Sequence, residues 1–159
     1  MPQNKGVTRR KFLQVGGAAT LGVVALAPNA QAAVPRKKLA AVAEIKPWQP
    51  VTFGYPDGES AVLLDVGKRV PGGVGPNGSI VAFSALCQHM GCPVAFDAKT
   101  KALKCPCHAS MFDPARDGMA FEGPATRGLP RVALHVDDSG DIYATGVATG
   151  LVYGRSCNR

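Results

Sequence analysis

Cys87-x-His89-x-Gly91-Cys92 and Cys105-Pro106-Cys107-His108-x-Ser110 are the two segments of this chain whose residue types and spacing point to chemistry. Each supplies one thiol and one imidazole to a four-ligand set, Cys87 and His89 with Cys105 and His108. Each also carries a further cysteine, Cys92 and Cys107. Two thiolates on one iron and two imidazoles on the other hold a 2Fe–2S cluster of raised potential, because neutral imidazoles replace two anionic ligands. The range is roughly −150 to +300 mV, against about −400 mV for an all-cysteine plant-type cluster. Such a centre takes electrons from moderate reductants and passes them to higher-potential carriers. A structural zinc also accepts two cysteines and two histidines, but zinc fingers pair the cysteines at short spacing and then the histidines. Here each box mixes the two types, and zinc leaves Cys92, Cys107 and Ser110 unexplained.

Cys92 and Cys107 sit beside ligand positions in two different boxes. Two readings are open: a bond that clamps both loops over the centre, which requires an oxidising compartment, or two buried free thiols. Cys157 lies in the polar tail Gly154-Arg155-Ser156-Cys157-Asn158-Arg159 and has no evident partner, so it reads as an exposed free thiol. The compartment is read from the N-terminus. Thr8-Arg9-Arg10-Lys11-Phe12-Leu13, with its twin arginines Arg9 and Arg10, leads an uncharged stretch from Phe12 to Ala27, and Ala30-Gln31-Ala32 fits signal-peptidase cleavage after Ala32. Residues 1–32 are thus expected to be a twin-arginine signal peptide, which carries a protein already folded around its cluster into the periplasm. The apolar stretch is shorter than the ~20 residues that span a bilayer comfortably. An uncleaved N-terminus is the alternative, and would associate the chain with the membrane.

Four of the 18 basic residues and none of the 11 acidic ones fall in that segment, so the remainder has 14 basic against 11 acidic residues, a net of +3. The overall +7 therefore lends no support to nucleic-acid binding. Residues 33–48, with the patch Arg36-Lys37-Lys38, read as a solvated linker, and Lys38–Ile45 is the one stretch with a helical period. From residue 49 to 159, short apolar runs alternate with Gly, Pro, Asn and Asp punctuation. Strands are expected at Val51–Tyr55, Ala61–Val66, Ile80–Ala85, Val94–Asp97, Ala102–Lys104, Arg131–Val136, Ile142–Thr145 and Leu151–Tyr153. The fold class is all-β, with antiparallel sheets. The boxes interrupt this pattern between about residues 86 and 130. The residues between His89 and Cys105 read as a hairpin, which sets both boxes as loops at one end of a small subdomain. Gly123-Pro124 then reads either as a third wall over the centre or as an ordinary surface turn.

The two boxes, the Gly123-Pro124 loop and the twin-arginine start resemble the Rieske protein superfamily. That resemblance implies an antiparallel β sandwich or barrel with a small cluster-binding subdomain and one 2Fe–2S cluster. Cys87 and Cys105 would bind the inner iron and His89 and His108 the outer one. Cys92 and Cys107 would form the family's disulfide. Within the superfamily, Val70-Pro71-Gly72-Gly73-Val74-Gly75-Pro76, Ile80–Ser84 running into the first box, Leu129-Pro130-Arg131-Val132 and Gly150-Leu151-Val152-Tyr153-Gly154-Arg155 are similar to the arsenite oxidase small subunit. By that resemblance the chain pairs as a heterodimer with a large molybdopterin subunit bearing its own iron–sulfur cluster. It would then pass single electrons to a cytochrome c or an azurin-like blue-copper acceptor, with no catalytic residue of its own. The alternative is the Rieske subunit of a quinol–cytochrome c oxidoreductase, which needs a true membrane anchor and usually has a tyrosine where this chain has Phe112. Cytosolic Rieske ferredoxins usually lack the paired cysteines.

Ser110 is placed to donate its hydroxyl to a bridging sulfide, which favours the reduced cluster. Phe112 cannot donate, so a lower potential is expected than in tyrosine-bearing relatives. Ala109 stands where the family usually has glycine, so the backbone there need not be left-handed. Trp48 is expected to pack the first strand, and Lys99, Lys101 and Lys104 make the hairpin between the boxes basic, a candidate for steering an acidic partner.

Overall fold

The computed structural model describes residues 36–158, so the export segment with Arg9 and Arg10 lies outside the described residues. Among them ten strands pair antiparallel: β1 (Lys37–Ala41), β2 (Val51–Gly54), β3 (Ser60–Asp65), β4 (Ile80–Ser84), β5 (Ala95–Asp97), β6 (Ala102–Lys104), β7 (Met111–Asp113), β8 (Met119–Glu122), β9 (Arg131–Val136) and β10 (Asp141–Val147). They form a six-stranded sheet in the order β1-β10-β9-β4-β3-β2 and a four-stranded sheet in the order β5-β6-β7-β8. The larger sheet curls until its edges approach, where Lys37 Nζ on β1 donates to the Gly54 carbonyl on β2 at 2.9 Å. The expected all-β class is the observed one.

β3 and β4 read as continuous apolar runs rather than alternating patterns because both of their faces are covered. Ala61, Leu63, Ile80 and Ala82 pack with Val132 and Ile142 in one core. Val62, Leu64, Val81 and Phe83 pack with Leu103 and Phe112 of the smaller sheet in a second core, which also takes in Cys87 and Cys105. The two boxes are therefore seated on the back of β3 and β4 by apolar burial.

Several expectations need correction. Residues 33–48 are not simply a linker, because Lys37–Ala41 form the edge strand β1 against β10. Arg36 lies 3.9 Å over the Tyr143 ring and Lys38 pairs with Asp141. Cross-strand partners far along the chain override the local helical period; only Val42–Glu44 turn, as a 3-10 segment closed by Ala41 N–H donating to the Glu44 carboxylate. Trp48 stacks on Phe96 of β5 at 6.1 Å, so it packs against the smaller sheet rather than the first strand. Leu151–Tyr153 is not a strand; Asn158 instead folds the tail, accepting from Val152 N–H and donating to the Gly150 carbonyl. The sequence reading also lacked β7 and β8, each only three or four residues long.

Candidate metal centre

The first box is the loop that leaves β4. Val94 N–H donates to the Ala85 carbonyl, Leu86 bridges Pro93, and Cys87 N–H donates to the Cys92 carbonyl at 2.9 Å, so the loop returns beside its own start. Gly91, at φ +76°, makes the tight turn and donates its N–H to the Cys87 carbonyl at 2.8 Å. The second box leaves β6 and closes in the same manner, with Cys105 N–H donating to the Ser110 carbonyl at 2.8 Å before β7 begins. Closing so short a loop requires a left-handed residue, and Ala109 supplies it at φ +57°. Although Ala in place of Gly suggested that left-handed geometry is not required, the backbone at Ala109 is left-handed, at a cost of about 1–2 kcal/mol for a residue with a β-carbon.

The loops bring the predicted residues together. Cys87 and Cys105 are buried at 1% exposure each, and their thiols face one another. The His89 and His108 rings meet edge to face, with centroids 4.9 Å apart. His108 is exposed and His89 half-buried. Cys92 and Cys107 form a disulfide that ties one loop to the other, which settles the alternative in favour of the clamp. Their sulfurs and that of Cys105 all lie within 4.8 Å of one another, so the bond packs against a candidate ligand. Cys157 is an exposed free thiol, as expected. Burial pushes the Cys87 thiol up; the N–H groups of His89 and Met90 oppose this, and the Cys105 thiol adds to it.

The Gly123-Pro124 loop packs on the second box rather than standing off as a free surface turn. Gly123, at φ +81°, comes so close to the second box that a β-carbon there would lie 2.5 Å from Ser110 Cα. No larger residue fits. After the exposed Pro124, Ala125 N–H donates to Ser110 Oγ at 3.1 Å. Ser110 is fully buried, and this bond uses its acceptor capacity, leaving its hydroxyl proton available to donate. Phe112, also fully buried, lies in the same apolar cluster as Cys87 and Cys105.

The C-terminal tail is the part of the site that sequence reasoning missed. A β-carbon on Gly91 would lie 2.6 Å from the Tyr153 ring, so that ring covers the turn of the first box. Arg155 holds the tail to the β2–β3 turn through Asp57 at 2.7 Å and through Glu59. The signal was there in Gly150–Arg155, a segment whose similarity was seen but whose residues suggested no chemistry.

A family model described as the Rieske [2Fe-2S] domain matches residues 36–145. The chain belongs to the Rieske family. The iodate reductase subunit IdrB of Denitromonas iodatirespirans is 40% identical over 163 residues, covering 96% of this chain and 87% of that protein. The cytochrome bc1 complex Rieske iron-sulfur subunit of Corynebacterium diphtheriae is 41% identical, but over 70 residues, 43% of this chain and 17% of that one. Among solved structures, the soluble domain of the Rieske protein II (soxF) from Sulfolobus acidocaldarius superposes with a TM-score of 0.68 at 29% identity, over 81% of this chain and 85% of that one. The family match begins inside the stretch expected to be a linker, in keeping with β1 being part of the domain.

The Rieske domain's residues fit one 2Fe–2S cluster. Two buried thiols face each other, the N–H groups of His89 and Met90 favour the thiolate of Cys87, and the buried Nδ1 of His89 has no hydrogen-bond partner. A buried, unpartnered imidazole nitrogen costs free energy unless something binds it. A cluster bound there satisfies both demands.

Proposed function

We propose that Cys87 and Cys105 bind the inner iron and His89 and His108 the outer iron. We further propose that this chain is the electron-transfer subunit of a periplasmic arsenite oxidase, carrying single electrons from a large molybdopterin subunit to a cytochrome c or azurin-like acceptor. The observation that carries the electron-transfer role is the pairing of buried thiols with a half-buried and an exposed histidine, on loops clamped by a disulfide. The bound cluster supplies reversible one-electron chemistry, in the range of roughly −150 to +300 mV. The chain's own groups set the conditions for it. Ser110 offers a proton donor fixed by Ala125, Gly123 and Tyr153 seal the loops, and His108 carries the contact to the surface.

Support for the arsenite oxidase reading comes from the flanking segments. Val70–Pro76 and Leu129–Val132 interlock: Arg131 donates to the Pro71 carbonyl at 3.0 Å, and a β-carbon on Gly72 would strike the Arg131 guanidinium at 2.3 Å. A second reading, the Rieske subunit of an iodate reductase, is favoured by the 40% identity along nearly the whole chain. The quinol–cytochrome c alternative has a relative matched over only 43% of this chain. Export by the twin-arginine route, through Arg9 and Arg10, belongs to the same proposal.

The deciding experiment is electron paramagnetic resonance on the complex purified from periplasm. A Rieske signal that grows on adding arsenite supports the first reading. A pre-reduced signal that is bleached by iodate and indifferent to arsenite moves the chain to the second. A signal driven only by quinol would return it to the respiratory complex.

A further inference from the structure

A groove of about 530 Å³ runs between Trp48 and Lys68, from the larger sheet's side, and the smaller sheet, where Lys101, Arg116, Met119 and Phe121 line it. Two features make it more than a surface irregularity. First, Met119 and Phe121 are 44% and 52% exposed, among the few large apolar side chains so open among the described residues. Phe121 is aimed outward by a defect in pairing: Phe112 faces Ala120 and Met111 faces Glu122, so Phe121 is the extra residue of a β-bulge on the edge strand β8. A bulge at an edge re-aims a side chain and is a built feature rather than an accident.

Second, the charge is one-sided. The lining holds three cations, Lys68, Lys101 and Arg116, and one carboxylate, Asp113. That carboxylate is already engaged, accepting from Ala115 N–H at 2.8 Å and lying 3.6 Å from Arg116. Lys101 Nζ is held at the groove by the Trp48 ring, 4.8 Å from its centroid. The groove is thus an apolar anchor point flanked by uncompensated positive charge.

We propose that this groove docks a soluble redox protein whose contact face is acidic around an apolar centre. Rim lysines and a small contact suit a transient, electrostatically steered encounter, whereas a permanent subunit interface is larger and depleted of lysine at its core. The groove runs along the small sheet from its far end, at Lys101, Asp113 and Met119, toward the boxes at Phe121, two residues before Gly123, which presses on Ser110 of the second box. The exposed His108 edge stays free for a different partner. The proposal rests on the electron-transfer role, and on neither oxyanion.

The test is stopped-flow oxidation of the dithionite-reduced, desalted holoprotein by two carriers of opposite charge, an acidic plastocyanin and a basic mitochondrial cytochrome c, with no arsenite or iodate present. For wild type, the rate with plastocyanin should fall as salt is raised. The Lys68→Glu/Lys101→Glu variant should lose about tenfold with plastocyanin at low salt and gain with cytochrome c. Phe121→Ala should slow plastocyanin severalfold while leaving its salt dependence intact, and the midpoint potential should be unchanged in both variants. Plastocyanin rates that do not respond to the charge reversal or to Phe121→Ala would overturn the proposal. Failure of the arsenite or iodate assay on the complex would leave this result standing.

Discussion

The two sheets are held together by different physics. In the six-stranded sheet, β3 and β4 carry up to five consecutive paired residues and are covered on both faces, so burial of aliphatic side chains supplies the stability. The four-stranded sheet pairs only two or three residues along each ladder. Its loops are secured instead by a disulfide, by glycines in contact with Ser110 and Tyr153, and by the Ser110–Ala125 hydrogen bond. The larger sheet is a platform that tolerates little change in its core. The smaller one is a clasp, and its geometry depends on a few specific links. A redox centre gains from this division, because ligands fixed before and after electron transfer need little rearrangement.

The comparison can be broken most severely from the platform side. Leu64 is fully buried between the sheets, and Leu64→Ala is expected to cost about 2–5 kcal/mol, lowering the thermal midpoint of the whole domain and of cluster bleaching together. Next comes Cys107→Ser. Opening a cross-link that spans 15 residues should cost about 3 kcal/mol. The expected result differs in kind, with visible cluster absorbance lost well below the temperature at which the far-ultraviolet β signal melts. If both signals melted together, the division between platform and clasp would be wrong.

Smaller effects sharpen the comparison. Phe112→Tyr adds a hydroxyl within the apolar cluster shared by both cysteines. A hydrogen bond to a charged group is worth ~1.5–3 kcal/mol. One electron converts each 1.4 kcal/mol to about 60 mV. A rise in midpoint of tens of millivolts by voltammetry is therefore expected, with no rise counting against a donor role at this position. The smallest effect concerns the tail. Burial works to raise the Glu59 carboxyl, but its own N–H, that of Asp57 and the Arg155 guanidinium together hold it below the usual range. A depressed carboxylate contributes stability above its unfolded pKa, near 4.3, and loses it as pH falls through the lower folded value. Hydrogen exchange of residues 150–158 should accordingly accelerate below about pH 4. Glu59→Gln should show faster exchange already at neutral pH and little further change on acidification.

Much of the site was legible because ligand chemistry is local. Cys87, His89, Cys105 and His108 announce a mixed thiolate and imidazole set wherever the chain places them, and the punctuation between apolar runs marks most of the larger sheet's strands. Phe112 and Ser110 could be singled out because each sits at a fixed step from a ligand. What misled was also local. Lys38–Ile45 has a helical rhythm, and no nearby residue reveals that β10 will claim its first half as an edge strand. Ala109 looked like a release from left-handed geometry, whereas the loop's closure on Cys105 imposes that geometry regardless of residue type.

By itself, then, the sequence determined the candidate donor set, the all-β class and the presence of two spare cysteines, because each follows from residue type and short-range spacing. Only the tertiary structure decided that those cysteines bond to each other and that Gly123 closes on Ser110. The same holds for the Tyr153 ring capping Gly91 and the bulge on β8 that turns Phe121 toward a basic groove. Each of these joins segments far apart in the chain, and such contacts are chosen by the burial and hydrogen bonding of the whole domain, which no local pattern encodes.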